Sequence, residues 1–418
     1  MNSKKQQVVF IAYALWAGGV EKVLYELTHG LDRERFSPVI VYLKESDNLI
    51  EYDPKVETIY LNPTGYGFNA IYKFPMMVDK DTTIEATQLA QQKYSIDDAI
   101  AEIAPFALAL RKVLKQFSQD AMLIPMDERN TTILWLSQIP PYRKVLASQH
   151  YPYSQAQVIR YPDEQVQQVK EILYLNACRT ADVVTFDSEG SRWDFINKFG
   201  ASPKHTLFMP NPINCDSVIQ KSHQPLPDNL QQLNRKTIFT QVARMASEKN
   251  PLLLVDACDL LRKKYNDFVV FYVGNGPLFN EMREQIERKN LQDHILLLDE
   301  QANPYPYMAN ARALLLTSRA ESSPLVLVES LVCGAVPIAT DCVAGPRGLL
   351  GDGKYGLLVP PNDPQLFAEA MYQIATDDLL YNRLRENAMD WALRFDAPRV
   401  IKEWEELILA VAENRIDD

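Results

Sequence analysis

Two glutamates bracket the short segment ESSPLVLVE, and their positions suggest that carboxylates bind a ligand there. Glu321 opens the segment and Glu329 closes it, with an apolar run between them. The residues that follow Pro324 are apolar on every side of the helix they would form, so this helix is expected to be buried. A buried carboxylate needs strong hydrogen-bond donors, and Glu329 is therefore predicted to accept hydrogen bonds from ligand hydroxyls.

The ends of this helix are predicted from its flanking residues. Ser323 can cap the helix, Pro324 suits its first position and Gly334 suits its end. Glu321 would then stand just before the helix, and Glu329 would lie about 7.5 Å further along the axis. The two acids therefore cannot hold one group, and we expect them to hold two ends of an extended ligand.

Two cations precede a second predicted helix. Arg244 and Lys249 lie in the segment RMASEKNP, where Asn250 is a suitable N-cap and Pro251 a natural first helical residue. Cations at a helix N-terminus repel the helix dipole unless an anion lies between them, so the pattern predicts a phosphate site. From these residues alone, a solvated surface loop explains the two cations equally well.

Glycines follow two further predicted strands. Gly18 and Gly19 precede a helix, and the sequence GNGP contains Gly274 and Gly276. Paired glycines let backbone N–H groups approach a ligand closely, although a tight turn between strand and helix explains Gly18 and Gly19 more simply. The G-x-G of residues 274–276 lacks the remaining features of a dinucleotide-binding motif.

No metal site is expected. Asp79 and Asp81 form a D-x-D pattern that could hold Mg²⁺ or Mn²⁺, but they fall in a polar segment predicted to be an irregular surface insertion. The five cysteines are scattered without a C-x-x-C pair, so the sequence indicates neither a zinc knuckle nor a disulfide framework.

The residues described so far follow short β-branched segments that alternate with longer helical patterns. Such alternation predicts parallel α/β units, whose ligands bind at the carboxyl ends of the strands. The predicted strands are Val8–Tyr13, Pro38–Leu43, Ala121–Pro125, Lys144–Ser148, Asp182–Phe186 and His205–Met209 in a first half, then Thr237–Ala243, Phe268–Val273, Ile295–Leu298, Ala313–Thr317 and Val336–Thr340 in a second.

Length and composition agree with two domains. The chain has 418 residues, which is more than a single hydrophobic core usually accommodates. We predict an N-terminal domain at 1–214 with an insertion at about 62–98, a linker at 215–235, a C-terminal domain at 236–395, and a C-terminal helix at 396–418 that packs back towards the N-terminal domain.

Charge and hydropathy limit the partners. The net charge of −11 disfavours a general nucleic-acid binder. No apolar segment reaches the roughly 18 residues of a spanning helix, and the N-terminal segment does not fit a secretory peptide, so we expect a soluble cytoplasmic protein. The segment Pro105–Phe117 would suit a membrane-surface helix, but packing within the fold is the simpler interpretation.

Several motifs, taken in order, resemble one family. They are GGVEKV, RMASEK, GNGP, NPYPYM, the E-x7-E of residues 321–329, and CVAGPRGLLGDGKYGLLVP. Over most of its length the chain resembles the retaining glycosyltransferases of family 4. This resemblance implies the GT-B fold, in which two Rossmann-like doubly wound domains face a central cleft.

The resemblance also implies roles for individual residues. Arg244 and Lys249 would bind the donor diphosphate, Glu329 the ribose and Glu321 the sugar, while His150 would lie near the transferred sugar unless it is structural. The predicted catalytic residues are Glu321, His150, Arg244 and Lys249. The predicted donor-binding residues are Gly18, Gly19, Arg244, Lys249, Gly276, Ser323, Pro324, Leu325 and Glu329.

The implied activity is retaining transfer of a hexosyl or N-acetylhexosaminyl group. The donor would be a nucleotide-diphosphate sugar with UDP as the expected nucleotide, and the acceptor a glycan or lipid-linked acceptor in polysaccharide or glycoconjugate biosynthesis. Such an enzyme could also contact the inner face of the cell membrane peripherally. A nucleotide-sugar epimerase or a non-catalytic partner of a transferase is the alternative. Ser322, Ser323 and Pro324 follow the first glutamate where the family usually has Gly, an aromatic or other residue, and then Pro or Gly, so the donor sugar stays open. The sequence also leaves the acceptor and the oligomeric state open.

Overall fold

The computed structural model describes residues 5–15, 18–44, 52–63, 95–137, 143–154, 163–200 and 205–416. The chain divides into two compact units. The first comprises Met1–Pro212 with Ala397–Asp418, and the second comprises Ile213–Asp396. Most of the predicted insertion at 62–98 lies outside the described residues, which resume at Ser95.

The strands of the described residues pair in parallel throughout. Each predicted strand is present, with ends shifted by at most two residues. The strands are β1 Gln6–Ala12, β2 Phe36–Tyr42, β3 Glu57–Tyr60, β4 Met122–Pro125, β5 Leu146–Gln149, β6 Val183–Phe186, β7 Thr206–Phe208, β8 Thr237–Val242, β9 Phe268–Val273, β10 Ile295–Leu297, β11 Ala313–Leu316, β12 Val336–Thr340 and β13 Leu357–Val359.

Helices connect these strands. Those of the described residues are α1 Gly19–Gly30, α2 Ile96–Leu114, α3 Glu128–Ser137, α4 Glu164–Thr180, α5 Glu189–Phe199, α6 Cys215–Ser222, α7 Asp228–Gln231, α8 Pro251–Leu261, α9 Phe279–Arg288, α10 Tyr305–Ala309, α11 Leu325–Cys333, α12 Gly345–Leu349, α13 Pro364–Thr376, α14 Asp378–Arg385, α15 Ala388–Ala392 and α16 Ala397–Ala412.

The first unit contains two sheets, ordered β3-β2-β1-β4 and β5-β6-β7. A parallel bridge between Leu123 and Val145 links β4 to the segment before β5. Helix α2 packs against α3 and α4, and Arg111 on α2 donates to the carbonyl groups of Leu136 and Ser137. Residues 105–114 are therefore packed within the fold, as the simpler interpretation held.

The second unit contains one sheet, ordered β10-β9-β8-β11-β12-β13. The direction of strand succession reverses between β8 and β11, which are neighbours in the sheet although β9 and β10 separate them in the chain. In sheets of this kind ligands bind outside the carboxyl ends of the strands at such a reversal. The loops after β8 and β11 carry Arg244, Lys249 and Glu321.

Two strands and one segment differ from the sequence predictions. Strands β3 and β13 were not predicted, because β3 is only partly buried and β13 has three residues. The segment 215–235 was predicted to be a linker, but it folds as α6, α7 and a 3₁₀ turn within the second unit. Buried Cys215, Val218 and Leu230 hold it there, and their short apolar pattern was too sparse to indicate a helix.

The C-terminal helix α16 belongs to the first unit, where it contacts α1. Glu405 accepts a hydrogen bond from the backbone N–H of Asp32 and pairs with Arg35 at 2.9 Å. Trp404 and Ile408 are buried in the same helix. Among the described residues, no helix has the length and apolar character needed to cross a membrane.

Candidate functional site

The loop after β8 is held against the loop after β9. The backbone N–H of Met245 donates to Asn275 O at 2.8 Å, and Leu278 N–H donates to Met245 O at 2.9 Å. Gly276 has a positive φ, and a Cβ there would lie 2.6 Å from Met245 O. Close backbone packing therefore accounts for Gly276, and its effect on a ligand is to fix the loop that carries Arg244.

The loop after β11 is held against the same loop from its other side. Arg319 N–H donates to Glu248 O at 2.8 Å, and Thr317 Oγ1 donates to Lys249 O at 2.9 Å. One backbone and one side-chain hydrogen bond thus join two chain segments that are far apart in sequence. This arrangement fixes Lys249 beside the segment that carries Glu321.

A third loop, after β12, supports the segment Glu321–Ser323. Gly345 N–H donates to Glu321 O at 3.2 Å, and a Cβ on Gly345 would lie 1.9 Å from Ser322 O. The preceding residue, Ala344, has φ 91° and ψ −77°, a region in which a residue with a side chain is strained. The contact with Ser322 thus requires a glycine at 345.

Lys249 and Glu321 form an ion pair, with Lys249 Nζ 2.7 Å from Glu321 Oε1. The side chain of Glu321 is 9% exposed and that of Lys249 is 27% exposed. Ser318 Oγ also donates to Glu321 Oε1, at 2.6 Å. Two residues that the sequence assigned to different parts of a donor are therefore in direct contact.

Arg244 has a partner that the sequence analysis missed, Glu248. Its guanidinium pairs with the Glu248 carboxylate, while 64% of the Arg244 side chain stays exposed. Burial alone would raise the pKa of Glu248, but hydrogen bonds from its own backbone N–H and from Arg244, together with the charges of Arg244 and Lys249, lower it below its usual value. The spacing of an acid four residues after an arginine was the available signal.

The cap predicted at Asn250 is only partly correct. Asn250 precedes α8 and Pro251 is the first helical residue, as predicted. However, Asn250 is left-handed, with φ 49° and ψ 52°, and its side chain makes no cap hydrogen bond. Instead its Oδ1 accepts from Arg319 at 3.2 Å. The 3₁₀ turn Ser247–Lys249 that ends at Asn250 turns its side chain away from the cap position.

The helix α11 buries Glu329, which is 2% exposed, and this confirms the prediction that it lies in the interior. Tyr305 OH donates to Glu329 Oε1 at 3.1 Å. The predicted start of the helix was wrong: Pro324 occupies the N-cap with an extended backbone, and Leu325 is the first helical residue. Ser323 therefore does not cap, because Pro324 O accepts the hydrogen bond from Leu327 N–H that closes the first turn.

Gly18 and Gly19 begin α1 in the first unit. Gly18 is the N-cap, and Gly19 has no positive φ. A Cβ on Gly19 would meet no heavy atom of the described chain within 4 Å. Neither backbone strain nor crowding within the described residues accounts for Gly19.

A buried acid on the same helix, Glu21, was also missed. Burial, with a smaller contribution from the charge of Asp127, raises the pKa of Glu21 to about 7, although a hydrogen bond from the residue's own backbone N–H lowers it in part. Asp127 follows β4, which pairs with β1. The sequence signal was an acid in the first turn of an otherwise apolar helix face.

His150 lies in the first unit just after β5 and is buried. Its Nε2 is 3.0 Å from Ser148 Oγ, and its Nδ1 is 3.6 Å from Asp187 Oδ2. Asp187 Oδ2 accepts a hydrogen bond from Asn211 Nδ2 at 3.2 Å. The Nε2 contact with Ser148 is therefore the hydrogen bond that holds the imidazole, while the buried Nδ1 has no hydrogen-bond partner among the described residues. This arrangement fits the structural role as well as the catalytic one.

The residues predicted to act together fall in both units. Arg244, Lys249, Glu321 and the segment Ser323–Leu325 lie on adjoining loops of the second unit, and Glu329 follows on α11. Asp79 and Asp81 lie outside the described residues. Within the part of the chain that the structure describes, no three His, Cys, Asp or Glu side chains lie together as a metal would require.

Comparison with known proteins shows which family most of the second unit resembles. Residues 225–391 match the model of a family described as glycosyl transferases group 1. The similarity to the glycosyl transferases group 1 family is thus shown for this part of the chain. The match contains the loops that carry Arg244, Lys249 and Glu321, and the helix that carries Glu329. The narrower assignment to family 4 stays a prediction.

Relatives extend the similarity beyond the group 1 region. A Campylobacter jejuni protein, named N-acetylgalactosamine-N,N'-diacetylbacillosaminyl-diphospho-undecaprenol 4-alpha-N-acetylgalactosaminyltransferase, is 30% identical over 53% of this chain and 59% of its own length. A second C. jejuni protein, named GalNAc-alpha-(1->4)-GalNAc-alpha-(1->3)-diNAcBac-PP-undecaprenol alpha-1,4-N-acetyl-D-galactosaminyltransferase, is 22% identical over 97% of this chain and 99% of its own.

A solved structure supports the fold of the whole chain. The Anabaena protein HepE, crystallised in complex with UDP, aligns with a TM-score of 0.71 at 17% identity, covering 97% of this chain and 100% of that one. At this identity the similarity concerns the fold alone. With two units built on parallel sheets, it confirms the predicted GT-B fold class.

Proposed function

We propose that the protein transfers a sugar from a nucleotide-diphosphate sugar, with UDP as the nucleotide, to a glycan or lipid-linked glycan, with retention of configuration. The contact between Lys249 and Glu321, on interlocked loops at the carboxyl ends of β8 and β11, carries this proposal. It sets a cation for a phosphate beside a carboxylate for a sugar hydroxyl. UDP as the nucleotide is supported by the HepE complex, and a lipid-linked acceptor by the two C. jejuni relatives.

In the proposed reaction, Arg244 and Lys249 neutralise the diphosphate as it leaves. Lysine has three N–H donors, so Lys249 can keep its hydrogen bond to Glu321 while it donates to a phosphate oxygen. The bond from the anomeric carbon to the diphosphate breaks, and a bond to the acceptor oxygen forms on the same face. The acceptor proton passes to the departing phosphate oxygen, so neither glutamate serves as a nucleophile.

The donor would extend along the helix that separates the two glutamates. Glu329, held by Tyr305, would accept hydrogen bonds from the ribose hydroxyls, and Glu321 from the sugar. Gly19 would leave room for a phosphate or the acceptor, which agrees with the open space around its Cβ position. His150 would contact the transferred sugar.

The direct test is a thermal-shift screen of the full chain against nucleotides and nucleotide sugars. A donor that binds only the native state raises the melting temperature. We expect UDP and one UDP-sugar to raise it, and that UDP-sugar to be consumed only when a lipid-linked glycan is added. Conversion of the free UDP-sugar to another sugar without acceptor would favour the epimerase, and the absence of both binding and turnover would favour the non-catalytic partner.

We further propose that transfer needs no metal, because Arg244 and Lys249 supply the positive charge that Mg²⁺ would otherwise provide. Activity should be unchanged after EDTA treatment and dialysis. Complete loss of activity on chelation, restored by Mn²⁺, would contradict this proposal and direct attention to Asp79 and Asp81.

A further inference from the structure

Ser318 occupies a buried position between the end of β11 and Glu321. It is 1% exposed. Its Oγ donates to Glu321 Oε1 at 2.6 Å, and its carbonyl accepts from the hydroxyl of Thr340, at the end of β12. The serine is thus anchored to the neighbouring strand and directs its single O–H donor at the carboxylate.

The two donors to Glu321 fall on the same oxygen. Lys249 Nζ lies 2.7 Å and Ser318 Oγ 2.6 Å from Oε1. Each carboxylate oxygen can accept about two hydrogen bonds, so this pair uses the capacity of Oε1. The direction of the carboxylate is thereby fixed, and Oε2 accepts neither bond.

The two donors differ in what a bound ligand does to them. The Lys249 ammonium is a flexible point charge that a diphosphate also attracts. The Ser318 hydroxyl is short, neutral and buried, so a phosphate has no strong effect on it. When a donor binds, Lys249 shares its N–H donors between Glu321 and the phosphate, whereas the contact from Ser318 to the carboxylate is unchanged.

We propose that Ser318 is a positioning residue, which fixes Glu321 so that Oε2 accepts a hydroxyl of the transferred sugar. This inference rests on the proposed function, because it assigns the use of Glu321 to the sugar. It adds the residue that orients the carboxylate and the oxygen that makes the contact.

The chain offers a matched control in Ser330. Ser330 is also buried in the second unit, at 0% exposed, and its Oγ donates to a backbone carbonyl, Leu327 O, at 2.7 Å. Ser318→Ala and Ser330→Ala each remove one buried hydroxyl and one hydrogen bond, so a purely structural role predicts equal effects of the two substitutions.

Kinetics separate the two variants. For Ser318→Ala we expect kcat to fall about tenfold or more, the size of one lost hydrogen bond, with the Kd for UDP within about twofold of the parent. Ser330→Ala should stay within about twofold of the parent in both quantities. Ser318→Thr keeps the hydroxyl and should recover most of the turnover. Equal kcat in the parent and Ser318→Ala, or equal losses in the two alanine variants, would overturn the proposal.

A crystal structure of Ser318→Ala gives a readout that needs no activity. The Glu321 carboxylate should turn, so that Oε1 no longer occupies its parental position. An unmoved carboxylate would overturn the proposal even if kcat fell. A parent protein that transferred sugar from no donor would refute the proposed function instead, and the orientation of Glu321 in the variant would still decide the role of Ser318.

Discussion

At the scale of single residues, the Lys249–Glu321 pair joins two residues for which we propose separate roles, one towards a phosphate and one towards a sugar. Glu321 is nearly buried, and the Lys249 ammonium forms an ion pair with its carboxylate. Glu321 thus neutralises part of the charge that Lys249 offers to a phosphate. Substitution of either residue therefore changes the electrostatics of the other.

The two glutamates are expected to differ when each is replaced by glutamine. Glu329→Gln should weaken UDP and UDP-sugar alike, by roughly 10-fold to 100-fold, because both ligands contain the ribose. Glu321→Gln should reduce kcat by a similar factor while UDP affinity is unchanged or higher, because Lys249 is no longer neutralised. Calorimetry and initial rates measure these effects.

Glu287→Gln, at an exposed position of α9, serves as the control. Parental turnover in Glu321→Gln would refute its contact with the sugar. A fall in melting temperature without a fall in UDP affinity would show that Glu329 is only a core acid.

Glu21 should make stability depend on pH. Its pKa is about 7 in the folded protein and near 4.5 when exposed, so the folded state retains a proton that the unfolded state loses. Stability should therefore fall as pH rises from about 4.5 to 7 and then level off, by about 3 kcal/mol at most, from about 1.4 kcal/mol for each pKa unit. Glu21→Gln removes the ionisable group and should therefore abolish this loss of stability at high pH.

Denaturant unfolding at pH 5 and pH 8 measures the effect. The variant Glu21→Gln should exceed the parent in stability at pH 8, and the difference should shrink at pH 5. Glu34→Gln, at an exposed position of the same unit, corrects for the general effect of removing a charge. An equal difference in unfolding free energy between Glu21→Gln and the parent at both pH values would contradict the raised pKa of Glu21.

At the scale of elements, the site depends on loops that hold one another. The loop after β8 contacts the loops after β9 and β11, and the loop after β12 supports Glu321 and Ser322. Such mutual support fixes charged side chains before a ligand arrives, which reduces the reorganisation that binding requires. The strained backbone of Ala344 is tolerated within this assembly.

Gly345→Ala tests this support. The added Cβ would lie 1.9 Å from Ser322 O, so the segment that carries Glu321 must shift. We expect a loss of roughly 1–3 kcal/mol in the free energy of unfolding and a lower kcat. Gly348→Ala, in the same helix α12, meets no described atom within 4 Å and should preserve both quantities. Parental stability and kcat in Gly345→Ala would show that the loop can move to accommodate the added Cβ without affecting the fold or the proposed site.

At the scale of the whole molecule, the chain leaves the first unit and later returns to it. The second unit begins and ends at adjoining points, since Ile213 N–H donates to Phe395 O at 2.9 Å. Helix α16 then completes the first unit with buried Trp404 and Ile408. Stability of the first unit thus depends on residues at the other end of the sequence.

Truncation after Asp396 should destabilise the first unit selectively. Each large buried side chain of α16 contributes roughly 2 kcal/mol, so its loss should expose the first unit to proteolysis. The second unit should remain protected, and UDP should still raise its melting temperature. Limited proteolysis with mass spectrometry measures both effects, and removal of residues 413–418 alone is the control. Equal protection of both units would contradict the assignment of α16.

Local patterns in the sequence determined the strands, the α/β class and the burial of Glu329. These properties depend on apolar periodicity and on the turns between elements, which neighbouring residues specify. The same patterns identified the loops that carry Arg244, Lys249 and Glu321. They missed β3 and β13, whose patterns are short or only partly apolar.

Only the tertiary structure decided which of these residues meet. Lys249 and Glu321 are 72 positions apart, and they are in contact because β8 and β11 are neighbours in the sheet. The order of strands follows from the packing of the whole unit, which no local pattern contains. For the same reason the sequence could not reveal that Ser318 donates a hydrogen bond to Glu321, or that the backbone of Ser322 packs closely against Gly345. Nor could it show that Asn250 contacts Arg319 instead of capping α8.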